Sequence, residues 1–396
     1  MIAPLHRRHF LAAGSAVAAT GVQLSTPVLA SAGPSSPHWH ILGIAPMSEK
    51  LPQLAHDYRH GVELGLAQAG ASQVGLTWLS AGPLPGAPAK AIGSALQDGK
   101  IDAVMGWIPP LLAKKVSALT EKAGVPLWIS DSGADIATPS EQHPLQVRHS
   151  LELCTMASAL ADKVHAQCGP RAFLSMGWHE SGYDFVQAFQ HRWRSLGGQI
   201  VGRHIAGAPG RSPEFDDLKQ AIVSQQPDAV IALFSGPQAH RFSQWWQAQP
   251  ALLRTQLAGF PWLSDGTSGV RPWTVASWPT ADIAETGWKT RFAQAGLAWT
   301  AAALLGAEAG ASLGSALAAA PPGTSTKDVW AALTSKPLAG PRGQRYWASS
   351  ASDSAGPLWE RSTSVTGTWL QRHQAYSHLG ASAAAQGGWI TGYFLT

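Results

Sequence analysis

Apolar residues along the chain fall into short runs of five or six, alternating with longer stretches in which they recur every three or four positions. The clearest case spans residues 101–139. IDAVMG reads as a buried strand ending in glycine, and PPLLAKKVSALTEKAG as a helix opened by proline and closed by Gly124. VPLWIS is the next strand and DSGADIATP the loop that follows it. A helix between two parallel strands puts both strand C-termini on one sheet edge, where open α/β folds hold their ligands.

The same alternation runs through most of the chain. HWHILGIAP (38–46) predicts the first strand, and a helix over 51–69 carries Tyr58, Val62, Leu66 and Ala69 on one stripe. VGLTWLS predicts a second strand and 89–98 a second helix. Beyond an extended piece at 146–148, LELCTMASALADKVHAQCG predicts a helix, followed by strands at 172–176, 199–205, 229–234 and 255–260. Helices over 185–196, 214–225 and 240–247 separate these strands. From Gly266 the pattern loosens to a strand near 274–278, an alanine-rich helix over 301–319, a short helix over 327–333 and strands near 344–348 and 368–370. Repeated β-α alternation predicts an α/β fold of two three-layer αβα lobes.

Composition adjusts this picture at the N-terminus. Arg7 and Arg8 precede Phe10-Leu11, an apolar run to Leu29 and the small-residue site Ala30-Ser31-Ala32. Residues 1–32 therefore read as a twin-arginine-like export signal, with a mature chain in the periplasm. Two of the 28 basic side chains lie in that leader, so the mature chain is near charge balance against 24 acidic ones. With no basic stripe, nucleic acid is not an expected partner. No later stretch of about 20 residues reads as membrane-spanning, so no membrane insertion of the mature chain is expected. Cys154 and Cys168 sit at opposite ends of one predicted helix, roughly 21 Å apart, and so read as free thiols.

Catalytic and cofactor signatures are weak. Gly310-Ala311-Ser312-Leu313-Gly314 matches the nucleophile-elbow pattern but lies in a predicted helix with no strand ahead of it. His38 and His40 are alternate residues on one strand face with no third ligand nearby. No phosphate loop or Cys/His metal spacing occurs, so no enzyme activity, cofactor or metal is expected.

Several landmarks, in order, resemble the leucine/isoleucine/valine-binding-protein family of type I periplasmic binding proteins. They are Leu42-Gly43-Ile44-Ala45-Pro46, Ile101-Asp102-Ala103-Val104-Met105-Gly106, Ala123-Gly124-Val125-Pro126, Ser181-Gly182-Tyr183, Gly197-Gly198, Pro227-Asp228-Ala229-Val230 and Gly340-x-x-Gly343-Gln344. The resemblance covers about residues 38–370. It implies two lobes joined by a three-segment hinge, the first of residues 38–148 plus 277–325 and the second of 149–276 plus 326–396. It also implies an extracytoplasmic receptor that captures a small-molecule ligand between the lobes and delivers it to the permease of an ABC importer. A ligand-sensing role beside a membrane receptor or periplasmic dehydrogenase is the alternative.

Carried over by position, the resemblance assigns ligand contacts to Trp107, Asp131, Ser132, Gly133 and Ala134 of the first lobe. From the second lobe it points to Tyr183, Phe234, Trp262 and Asp265, with His179 and Glu180 beside them. The chain departs from the family where serines usually hold a carboxylate: Trp107-Ile108-Pro109-Pro110 has no hydroxyl, and its prolines remove backbone donors. Asp131 would oppose a ligand carboxylate. Trp107, Tyr183, Phe234 and Trp262 would line an aromatic cleft, unless they are core residues. The expected ligand is therefore not a plain aliphatic amino acid.

Overall fold

The computed structural model describes residues 38–48, 50–81, 86–135, 144–207, 214–252, 255–263, 272–281, 284–347, 354–361 and 369–372. The leader, Asp265 and the C-terminal tail lie outside the described residues.

In the first lobe, strands Trp39–Ala45 (β1), Val74–Ser80 (β2), Ala103–Trp107 (β3), Leu127–Asp131 (β4) and Gln146–Ser150 (β5) form a parallel sheet in the order β2-β1-β3-β4-β5. Helices Leu54–Gln68 (α1), Gly86–Gln97 (α2) and Pro110–Ala123 (α3) connect the first four strands. Alternation along the strands divides the side chains between two cores. Ala103, Met105 and Trp107 face one side, and Val104 and Ile108 the other.

Helix Leu153–Cys168 (α4) leads into the second lobe. There Arg171–Gly177 (β6), Asp184–Ser195 (α5), Gln199–Ala206 (β7), Leu218–Gln225 (α6), Ala229–Leu233 (β8), Gly236–Gln247 (α7), Gln256–Gly259 (β9) and Trp273–Ala276 (β10) continue the alternation. The chain then returns to the first lobe through Thr286–Gln294 (α8), Ala301–Ala318 (α9) and Thr326–Thr334 (α10). Leu338–Gly340 (β11), Gly343–Trp347 (β12) and Ser354–Ala355 (β13) make a small antiparallel sheet. Finally, Leu358–Arg361 (β14) and Trp369–Arg372 (β15) complete the second large sheet, ordered β15-β14-β10-β9-β8-β6-β7.

Helices α1 and α9 pack backbone to backbone. A Cβ on Gly306 would stand 2.2 Å from the Tyr58 carbonyl oxygen, and one on Gly61 2.3 Å from that of Ala303. The elbow-like Gly310–Gly314 stretch is part of this seam, and Gly310 abuts Val62. The sequence pattern predicts no apolar stretch of membrane length after the leader. Helix α9, 18 residues long, is such a stretch by length and composition, but 72% of it is buried inside the protein.

Some expected elements differ in extent or place. Helix α7 begins at Gly236 rather than near 240 because Pro237 sits in its first turn, where no backbone N–H is needed. Helix α8 went unrecognised, although Trp288 and Phe292 stand one turn apart on its buried face. Helix α10, expected in the second lobe, packs on α9 of the first, with Trp330 edge-on to Trp128 at 6.3 Å. The chain rejoins the second sheet only at β14, which pairs with β10.

Candidate functional site

The loops after β1 and β4 meet the loops after β6 and β8, so the strand C-termini of the two lobes face each other. Lys50, between β1 and α1, forms an ion pair with Glu180 in a 3₁₀ turn between β6 and α5. Ser235, at the N-terminus of α7, donates to the same carboxylate oxygen at 2.5 Å. Glu180 is only 2% exposed, and its Oε2 is buried without a hydrogen-bond partner.

A second contact joins the β4 loop to α5. The Phe185 amide donates to the Ala134 carbonyl oxygen at 3.0 Å, satisfying one of the free N–H groups of the helix N-terminus. The Asp135 carboxyl accepts a further bond from the Asp184 backbone. Burial foremost, and then the Asp184 charge, push Asp135 up to about 7.

The β4 loop is folded on itself. Asp131 accepts from Arg148 Nε at 2.6 Å and from the Gly133 amide at 2.7 Å, while the Ala134 amide donates to Ser132 Oγ at 3.3 Å. Gly133 has φ 66°, and a Cβ there would meet Ser150 and Glu152 at 2.8 Å. The two amides expected to serve a ligand are thus bonded within the loop. Arg148, which binds Asp131, also donates to the Asp135 carbonyl oxygen at 3.1 Å.

The aromatic residues divide. Tyr183 stacks on Phe185 at 5.8 Å, Phe185 meets Phe260 at 5.3 Å, and Phe260 meets Trp262 at 5.8 Å. Trp262 then touches Trp278 at 5.9 Å, so the row runs from α5 to the segment that leaves the second sheet. Apart from Trp262 this row is buried, with Phe185 0% exposed, and Trp107 lies in the first lobe's core, 1% exposed and edge-on to Tyr58 at 5.8 Å. Phe234 lies in the second lobe's core, stacked on Phe242 at 4.7 Å. His179 is exposed. The geometry therefore brings together Asp131, Ser132, Gly133, Ala134 and Tyr183, with Trp262 farther along the row. It adds Lys50, Asp135, Arg148, Asp184, Phe185 and Phe260.

Behind this cleft, charged side chains hold the crossing segments together. Arg342, 0% exposed, donates from Nε to Glu308 at 2.5 Å, and from Nη1 to the Ser150 carbonyl at 2.8 Å and Ser277 Oγ at 3.3 Å. Arg345 is paired with Glu152, which holds a left-handed φ of 57° just before α4. Ser277 Oγ donates to the Leu151 carbonyl at 2.7 Å. Residues from three separate stretches of the chain, 150–152, 277 and 342–345, thus enter one buried network. His149 Nε2 is 2.9 Å from Glu308, and burial lowers its pKa to about 4, so the ring is neutral near pH 7. Burial raises the Glu308 pKa, but Arg342 and His149 together outweigh it and hold the carboxyl below its ordinary range.

The architecture fits a known family. A family model described as periplasmic binding protein matches residues 39–359. The chain belongs to the periplasmic binding protein family. Its fold is shared with solved structures of low sequence identity. An ABC transporter substrate-binding protein from Sphaerobacter thermophilus is 18% identical, covers 84% of this chain and 96% of its own, and gives a TM-score of 0.70. An R. palustris ABC transporter solute-binding protein in complex with benzoate is 21% identical over 85% of this chain and 95% of its own, with a TM-score of 0.68. The leucine-binding protein of Thermotoga maritima is 15% identical over 85% and 98%, with a TM-score of 0.64. No curated protein sequence matches the chain.

Proposed function

We propose that this periplasmic binding protein is an extracytoplasmic solute receptor that captures a small ligand between its lobes and delivers it to the permease of an ABC importer. The observation that carries this reading is the meeting of loops from both lobes at Lys50–Glu180 and Ala134–Phe185, backed by a buried network that gathers three separate stretches of the chain. Hinge closure on a ligand requires such a pair of facing edges. The leader supports a periplasmic location.

The ligand is an aromatic or apolar compound, and its polar end is not a free carboxylate. The half-buried Trp262 supplies the π-rich surface, backed by the row Tyr183–Phe185–Phe260, which is itself buried in the core. Asp131, Asp184 and Glu180 outnumber Arg148 and Lys50, and both of these cations are already paired. Such a surface disfavours a second carboxylate and favours a neutral or cationic polar group. The R. palustris neighbour shares the fold and is complexed with benzoate, which makes aromatic acids the natural competing class. No observation favours the sensing alternative.

A thermal-shift screen over aromatic amines, amides, alcohols, aromatic acids and aliphatic amino acids tests this reading. Stabilisation by an uncharged or cationic aromatic compound, lost in Trp262→Ala, is expected. Stabilisation by aromatic acids alone would overturn the assignment of the polar end.

A further inference from the structure

Helix α1 carries a second cluster of polar groups, on its exposed face. His56 and His60 lie one turn apart on its surface, with ring centroids 4.3 Å apart and side chains 57% and 51% exposed. Each ring has a carboxylate at Nδ1: Asp57 at 3.2 Å from His56 and Glu63 at 3.0 Å from His60. A carboxylate at Nδ1 favours the proton there and leaves the Nε2 lone pair available. Histidines at i and i+4 share a helix face and can direct two such nitrogens at one ion. Asp57 is fixed in turn, accepting a 2.8 Å bond from Thr300 Oγ1 at the start of α9.

We propose that His56 and His60 form a two-imidazole coordination site for a borderline divalent cation, of which zinc(II), nickel(II) and copper(II) are the class. Imidazole pairs suit these ions, whereas magnesium and calcium prefer oxygen donors. Among the described residues no group of three or more His, Cys, Asp or Glu side chains is placed to hold a metal. The His56–His60 site therefore leaves coordination positions open to water or to a donor from another molecule. It stands apart from His38, just before β1, and His40, on β1 with its Nδ1 3.9 Å from Asp102.

Calorimetric titration of the tag-free mature protein with zinc chloride and with nickel chloride near neutral pH tests the site. One saturable site is expected, weakened at least about tenfold by either His56→Ala or His60→Ala and to a lesser degree by Glu63→Gln. Magnesium chloride should give no saturable heat, and the paired His38→Ala and His40→Ala change should leave zinc binding intact. Both helix histidines are exposed, so circular dichroism of the variants should match the parent. Zinc binding that survives His56→Ala with His60→Ala, that is lost with His38 and His40 instead, or that never saturates below millimolar zinc would overturn the assignment.

Discussion

Lys50 and Glu180 form an ion pair across the mouth of the cleft, with the carboxylate almost wholly buried and also bound by Ser235. One residue follows the first strand of the first lobe and the other the first strand of the second lobe, 130 positions away. This pair joins the loop after the first strand of one lobe to the loop after the first strand of the other.

Removing one partner from a buried pair leaves the other charge uncompensated. Lys50→Met should lower stability by on the order of 3 kcal/mol, read by urea unfolding. It should also enlarge the radius of gyration in small-angle scattering as the lobes separate. Glu180→Gln keeps the Ser235 bond and should cost less.

Arg342 at the hinge provides a second test. Arg342→Met strands Glu308 beside a neutral imidazole and should destabilise by about 3–5 kcal/mol. Adding Glu308→Gln should restore a large part of that loss, because the buried charge is then gone. Equal losses in the single and double variants would contradict the pairing.

Two groups set opposing pH dependences. Asp135 has a folded pKa of about 7 against an ordinary value of 3.8, so the native state holds the extra proton between them. Its contribution to stability therefore falls as pH rises through that window. Asp184, Asp131, Arg148 and Cys154 are the charged and titratable groups coupled with it in this corner of the cleft. His149 has the reverse sign: its pKa falls from 6.5 to about 4, so its stabilisation is complete above 6.5 and is lost as pH drops toward 4. Asp135→Asn should thus gain stability over the parent progressively from pH 4 to 7. His149→Asn should show its largest loss above pH 6.5. Unfolding curves at several pH values would read both.

The seam between α1 and α9 has no room for a methyl group at Gly306. Gly306→Ala should destabilise by about 1–3 kcal/mol despite alanine's higher helix propensity. Gly86→Ala, with nothing within 4 Å of the added carbon, should be neutral or slightly stabilising.

Much of this architecture can be read from the chain because its strands are short apolar runs and its helices keep a regular stripe. Pro237 hid the start of α7, since a proline that suits a first helical turn also suits a loop. The site was less legible. Trp107 and Phe234 occupy positions at strand ends, but residue type cannot say whether a ring points into a cleft or a core. Gly133 and Ala134 offered donors on paper, yet both amides are consumed inside the loop, a fact that depends on the left-handed turn at Gly133. Lys50 and Arg342 carry no local pattern at all. Their partners lie 130 and 34 residues away and meet them only once the lobes are assembled.

The proposed ligand class excludes the plain aliphatic amino acids from the cleft of this periplasmic binding protein. Titration calorimetry with leucine and valine, beside an aromatic compound drawn from the thermal-shift screen, tests it most directly. A ligand at one hundred times its dissociation constant should add about 2.7 kcal/mol of apparent stability, so the screen has the sensitivity to supply one. The expected result is saturable binding of the aromatic compound and no heat from leucine or valine. Tight binding of either aliphatic amino acid would contradict it.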